Sequence, residues 1–160
     1  VSGLSPTQRL ALKIGAGAAA LAVPLVVQFE GLRPQVYSDP VGRLAVCYGH
    51  DDPTLKPGTV YTQQQCQEML AQDLTAHADA LACIKAPMTD GQKAAFVSFA
   101  FNVGAKKFCG STLVAKANVD DMPGACTELS RWTYAGGKQL PGLVRRRAAE
   151  RAVCEGGVTP

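Results

Sequence analysis

The sequence lacks most of what would mark a metalloprotein, a nucleic-acid binder or a permanent membrane protein. It has no Cys-x-x-Cys pair, and its two histidines, His50 and His77, stand at no zinc-site spacing from a cysteine pair. No metal and no cofactor are therefore expected. There is no long basic run, and a formal net charge of +3 is too mild to argue for nucleic acid as a partner. Internal repeats are absent, and low complexity is confined to one Gly/Ala-rich run near the N-terminus. That run is apolar, but it falls short of the roughly 20 strongly hydrophobic residues of a stable transmembrane helix.

A hydrophobic fraction of 47% with 18% charged residues describes a folded protein, and 160 residues suffice for one closed core. Six cysteines are spread through the chain: Cys47, Cys66, Cys83, Cys109, Cys126 and Cys154. An even count in this pattern fits three disulfides and an oxidising compartment. Pairing sequence neighbours is the expected connectivity, Cys47 with Cys66, Cys83 with Cys109 and Cys126 with Cys154, because each pair then ties an element to the next.

Ser5-Pro6-Thr7-Gln8 is a helix start, with Ser as N-cap, Pro at the first helical position and Gln closing a capping box. The apolar stretch from Leu10 to Phe29 contains one charge, Lys13, and its centre, Ile14 to Val27, reads IGAGAAALAVPLVV. A transmembrane helix, a cleaved signal peptide with Ala20-Leu21-Ala22 as the cutting site, and a buried core helix all compete for it. The favoured reading is a weak span over residues 10–29 that inserts and later leaves the bilayer. Arg9 and Lys13 would hold its N-terminus in the cytoplasm. The expected organisation is therefore a signal-anchor-like helix over 1–29 followed by a catalytic domain over 30–160.

Residues 35–48 alternate around Asp39-Pro40-Val41-Gly42 and predict a β-hairpin. Capping boxes at Thr62–Gln65 and Thr89–Gln92 open two helices, the second apolar nearly all round and ending at Gly104. Shorter helices are expected from Ser111 and from about Asp120 to Ser130, and a last one from Pro141 to Cys154. The sum is an α+β fold, mostly helical, with a small β-hairpin lobe, a larger helical lobe and a cleft between them.

Glu30 sits where the apolar run gives out, in Phe29-Glu30-Gly31. Apolar surroundings disfavour an ionised carboxyl, which is what a general acid at neutral pH requires. Asp39 follows nine residues later in the hairpin turn. Two carboxyls facing one cleft could cleave a glycosidic bond, one protonating the leaving oxygen and the other acting on water. Taken alone the pair is equally compatible with a solvated helix end and an ordinary Asp-Pro turn.

Together the motifs Phe29-Glu30-Gly31-Leu32-Arg33, Tyr37, Asp39, Gly42 and Gly49-His50 resemble the active-site region of T-even-type phage lysozymes, glycoside hydrolase family 24. Ser98-Phe99, Asn102-Val103-Gly104, Ser111-Thr112-Leu113, Ser130-Arg131-Trp132, Gly142-Leu143, Arg145-Arg146-Arg147 and Glu150 extend the likeness over residues 28–154. It is closest to the disulfide-containing, signal-anchor-release endolysins of lambdoid phages. The resemblance implies a lysozyme-like fold and inverting hydrolysis of the β-1,4 bond between N-acetylmuramic acid and N-acetylglucosamine in bacterial peptidoglycan. It assigns Glu30 as general acid and Asp39 as the carboxylate that positions the water. His50 and one of Arg146 or Arg147 would support Glu30, and Tyr48 and Gly49 would face the substrate. A monomer is expected, in the host periplasm, first tethered to the inner membrane and then released.

One position departs from the family pattern of Glu, eight residues, Asp, five residues, Thr: Ala45 stands where the threonine belongs. An alanine cannot hydrogen-bond the water, and the loss could cost on the order of 10²-fold in rate. Ala45 leaves open an engineered change, an enzyme that manages without the hydroxyl, and a chain no longer catalytic. The alternatives carried forward are a disabled peptidoglycan-binding relative, a lytic transglycosylase, and a membrane-anchored structural protein.

Overall fold

A computed structural model describes residues 3–157. The chain opens with two helices, α1 (Pro6–Ile14) and α2 (Ala16–Val27), followed by strands β1 (Arg33–Ser38), β2 (Leu44–Cys47) and β3 (His50–Asp51). Then come α3 (Gln63–Ala78), α4 (Asp90–Val103), α5 (Ala105–Cys109), α6 (Thr112–Ala117) and α7 (Met122–Glu128). A two-stranded ribbon, β4 (Tyr134–Ala135) with β5 (Lys138–Gln139), precedes the last helix, α8 (Pro141–Cys154). The architecture is α+β and mostly helical, with small antiparallel sheets.

All three capping boxes form: the side chains of Ser5, Thr62 and Thr89 accept from the backbone N–H of Gln8, Gln65 and Gln92, whose amides return the bond. Each satisfies two backbone donors that a helix start otherwise leaves unpaired.

The single N-terminal helix expected from Leu10 to Phe29 is broken. Gly15 adopts φ 95°, ψ 147°, a conformation open to glycine and costly for other residues, and α1 and α2 meet there at 120°. The amide of Gly15 still bonds to the Ala11 carbonyl, and its own carbonyl receives the Ala19 amide, so the corner leaves both helices satisfied. Among the described residues no single helix is long and apolar enough to cross a membrane; α1 and α2 pass that test only when taken together. Leu10, Ile14, Ala18, Ala22, Leu25 and Val26 are buried in the same apolar core as the rest of the chain. Lys13 pairs with Asp79, and Thr7 Oγ1 donates to Glu68 Oε1 over 2.9 Å, tying α1 to α3 and the turn after it.

Helix α4 runs through the centre, buried from Ala94 to Ala100, with α2, α3 and α8 packed round it. Two glycines set its approach to its neighbours. A side chain at Gly17 would meet the Asp90 carboxylate, and one at Gly91 would meet the Val153 carbonyl of α8. Phe99 stacks edge-on against Trp132 and Phe108, with centroids 5.1 and 6.0 Å away.

The small lobe is a three-stranded antiparallel sheet in the order β1-β2-β3, with a register irregularity in β1 between Arg33 and Tyr37. Its first turn is closed by the Gly42 amide bonding to the Asp39 carbonyl, with Gly42 at φ 84°. The six cysteines form three disulfides between sequence neighbours. Cys47–Cys66 ties the sheet to α3, Cys83–Cys109 ties the 3-10 turn after α3 to α5, and Cys126–Cys154 ties α7 to α8.

Candidate active site

Glu30 lies just beyond the end of α2, its amide bonded to the Val26 carbonyl, with its side chain one-quarter exposed. It forms part of the wall of a cavity of about 740 Å³, together with Phe29, Asn102, Leu143, Arg145 and Arg146. Its Oε1 accepts a hydrogen bond from Arg146 Nη1 over 2.8 Å. Its Oε2 has no hydrogen-bond partner among the described residues.

Arg146 is itself buried and held on its other edges. Its Nη2 donates to the Ser98 carbonyl over 3.4 Å, and its Nε donates to Glu150 Oε2, also over 3.4 Å. Ser98 Oγ donates to the same Glu150 oxygen over 2.5 Å. Arg147, the next residue, turns away from the cavity: it donates to Glu150 Oε1, to Asn102 Oδ1 and, over 3.0 Å, to the Trp132 carbonyl. Its guanidinium lies 4.9 Å from the centre of the Phe99 ring. Burial pushes the Arg147 guanidinium below its ordinary value, and the neighbouring Glu150 pulls it partly back. Two cations and one fully buried carboxylate thus share the crossing of α4 and α8. Such a cluster is tolerable in a low-dielectric interior only because its charges are paired and bonded.

Asp39 is placed differently. It sits in the β1–β2 turn, and its Oδ1 accepts the amides of Val41 and Arg43 over 2.9 and 2.8 Å. Its Oδ2 has no hydrogen-bond partner among the described residues. Ala45, on β2, lies opposite Tyr37 of β1 and Asp51 of β3. It is 5% exposed and stands outside the main apolar core that its neighbour Val46 enters. This is the strand alternation that sends successive side chains to opposite faces.

Three of the expected site residues, Tyr48, Gly49 and His50, lie outside the wall of the Glu30 cavity. His50 does not bond to Glu30; its Nδ1 lies 3.0 Å from both carboxylate oxygens of Asp73 on α3. Tyr48 is 4% exposed and belongs to the hydrophobic core. Gly49 is exposed at a left-handed turn (φ 80°) outside the wall of the Glu30 cavity. Of the two arginines, Arg146 is the one on Glu30. Asp73 was missed in the sequence. It also accepts, through its backbone carbonyl, a bond from His77 Nδ1 at 2.9 Å. Burial pushes the Asp73 carboxyl above the usual carboxylate range, against the lowering effect of His50. The available signal was an Asp four residues before a His on one helix face.

With this geometry in place, the comparisons with known proteins are specific. The family model "Phage lysozyme" matches residues 27–150. A SAR-endolysin of Bacteriophage PS119 is 44% identical over 148 residues, covering 88% of this chain and 89% of the relative. A SAR-endolysin of Enterobacteria phage PA-2 is 41% identical over 152 residues, covering 91% and 92%. Among solved structures, the muramidase domain of SpmX from Asticaccaulis excentricus superposes with a TM-score of 0.76. It is 32% identical, over 87% of this chain and 95% of that one.

The relatives and the shared fold make this a glycoside hydrolase of the muramidase type. The chain belongs to the phage lysozyme family, and its function is that of a phage endolysin.

Proposed function

We propose that the protein hydrolyses the β-1,4 bond between N-acetylmuramic acid and N-acetylglucosamine with inversion, Glu30 acting as general acid and Asp39 positioning the attacking water. The observation that carries this reading is Glu30 itself: a carboxyl on the wall of a large cavity, held through one oxygen by a buried arginine, with the other oxygen unpaired.

Glu30 Oε2 delivers its proton to the glycosidic oxygen as the bond to C1 lengthens and positive charge builds on the sugar ring. Water attacks C1 from the opposite face. Asp39, fixed by two turn amides, turns its free Oδ2 to that water and takes up the proton the water loses. The proton then returns to Glu30 through solvent. Ala45 offers no hydroxyl, so the water is held from that side by the carboxylate alone. This lowers the rate on the order of 10²-fold relative to a threonine-bearing relative.

The N-terminal helices supply the second half of the proposal. Residues 10–29 tether the new chain to the inner membrane and leave it later, after which α1 and α2 pack on the helical lobe in the periplasm. While the segment is in the bilayer, Glu30 is pinned at the membrane surface and cannot be reached by Arg146. No cysteine lies in the segment, so release needs no disulfide exchange. A form locked in the membrane by leucine substitutions in residues 16–22 is expected not to lyse; equal lysis by the locked and released forms refutes this control.

The experiment for the catalytic reading is lysis of outer-membrane-permeabilised Gram-negative cells by the protein, by Ala45→Thr and by Glu30→Gln. An active protein with an inactive Glu30→Gln supports the reading, and a faster Ala45→Thr supports the role of the missing hydroxyl. If only Ala45→Thr lyses, this chain is a disabled member. If neither lyses, the protein binds peptidoglycan without cutting it. Product analysis distinguishes the chemistry, since a new reducing end means hydrolysis and an anhydro-muramic end means transglycosylation.

A further inference from the structure

Arg146 reaches Glu30 through a single nitrogen, although a guanidinium and a carboxylate left to themselves favour a two-point fork. The reason is on the far side of the arginine. Glu150, 0% exposed, takes Arg146 Nε on Oε2, where the Ser98 hydroxyl also bonds, and takes Arg147 on Oε1. The Ser98 carbonyl takes Arg146 Nη2. The residues sit one turn apart on α8, which lets one carboxylate hold both arginines, and Ser98 meets them from α4.

We propose that Glu150, fixed by Ser98, is a positioning residue for the reaction: it pins the Arg146 guanidinium end-on to Glu30, so that Glu30 Oε1 is held and Oε2 stays free to carry and deliver the proton. The inference rests on Glu30 being the general acid. Without Glu150, two like charges would stand adjacent in the interior, and Arg146 would be free to turn and close on both oxygens of Glu30. The charged groups at Glu30 are Arg146 and, on the same cavity wall, Arg145, both from α8; α4 contributes the neutral Asn102. Around Glu150 they are Arg146 and Arg147, with the neutral Ser98 from α4.

The test compares the protein with Glu150→Gln, Ser98→Ala and Glu30→Gln on purified Gram-negative peptidoglycan, with kcat, KM and the pH–rate profile measured alongside near-ultraviolet circular dichroism. Glu150→Gln, with native near-ultraviolet dichroism, is expected to lose kcat on the order of 10- to 100-fold with KM within about twofold. The alkaline limb of its profile moves to lower pH, because removing a negative charge leaves Glu30 facing an arginine with no second carboxylate. Ser98→Ala, which removes one bond and no charge, is expected to lose kcat by a few-fold, with KM unchanged and the limb in place. A folded Glu150→Gln with unchanged kcat and profile overturns the proposal. If Glu150→Gln fails to fold, Ser98→Ala decides, and unchanged kcat there overturns it. A Glu30→Gln variant that keeps full activity removes the general-acid reading itself, an outcome separate from either of these.

Discussion

The two carboxylates of the proposed mechanism are held by opposite means. Asp39 is positioned by its own turn, with both bonded amides within four residues of it. Glu30 is positioned by Arg146, 116 residues away, and through Arg146 by Glu150 on the same helix α8 and Ser98 on α4. Asp39 can therefore be in place as soon as the hairpin closes, whereas Glu30 needs α2, α4 and α8 assembled together. The acid is thus the part of the site that depends on the whole fold, including the N-terminal segment. The carboxylate that handles water depends on about five residues.

That contrast can be broken at several strengths. The largest effect is expected from the acid itself: Glu30→Gln should lower turnover of purified peptidoglycan by 10²- to 10⁴-fold or so, the span attributed to general acid catalysis. Assayed in parallel, Asp39→Asn should fall short of that loss. Next comes the remote support. Arg146→Lys keeps the charge but cannot bond along three edges at once, and about 10- to 100-fold loss of kcat is expected, together with a lowered Tm. Equal activity in Arg146→Lys would mean that charge alone, and not orientation, is what Glu30 needs. The local support is weaker. Gly42→Ala forces a side chain into the left-handed turn at φ 84°. A cost of about 1 kcal/mol by urea denaturation and a few-fold loss of rate are expected.

The smallest effect concerns Asp73, beneath the sheet lobe. Its carboxyl lies above the usual range in the folded protein because it is buried, so between its unfolded and folded values the folded state binds more protons. Stability from this group is then fully present below the unfolded value and declines as pH rises through the folded one. Asp73→Asn should flatten that part of the stability–pH curve; a curve of unchanged slope would show that His50 already neutralises the site.

The same contrast explains what could be read in the sequence. Turn and cap chemistry is local, so the Asp39 hairpin, the three capping boxes and the bounds of α8 were legible from a few residues each. What was not legible was tertiary: that Arg146 and not Arg147 would meet Glu30, that His50 would turn to Asp73, and that Tyr48 would be core. Each depends on how elements distant in sequence pack together. The ribbon β4–β5 was missed for a different reason, its Gly136-Gly137 turn being flanked by strands of two residues each, too short to alternate. Gly15 carried a signal that hydrophobicity masked: a run read for its apolarity conceals a glycine that ends a helix. Gly104, at φ 93° and ψ 149°, makes the same corner between α4 and α5, and there the stop was read correctly because the apolar run also ended.

On the proposed route through the membrane, the corner at Gly15 also sets a balance between two solvents. As one straight helix, residues 6–27 would run about 33 Å, close to the thickness of a bilayer's hydrocarbon interior. Bent at Gly15, neither arm is long enough to span it. Glycine is a poor residue for the straight form, by about 1 kcal/mol against alanine, and the comfortable one for the bent form, where another residue costs roughly 1–3 kcal/mol. Both preferences pull the same way, out of the lipid and onto the protein. Alanine at this one position would tilt the partition by about 2–4 kcal/mol, or roughly 30- to 1,000-fold, toward the membrane. On the proposed route, the balance between tethered and released chain then turns on a residue with no side chain, fifteen positions before Glu30.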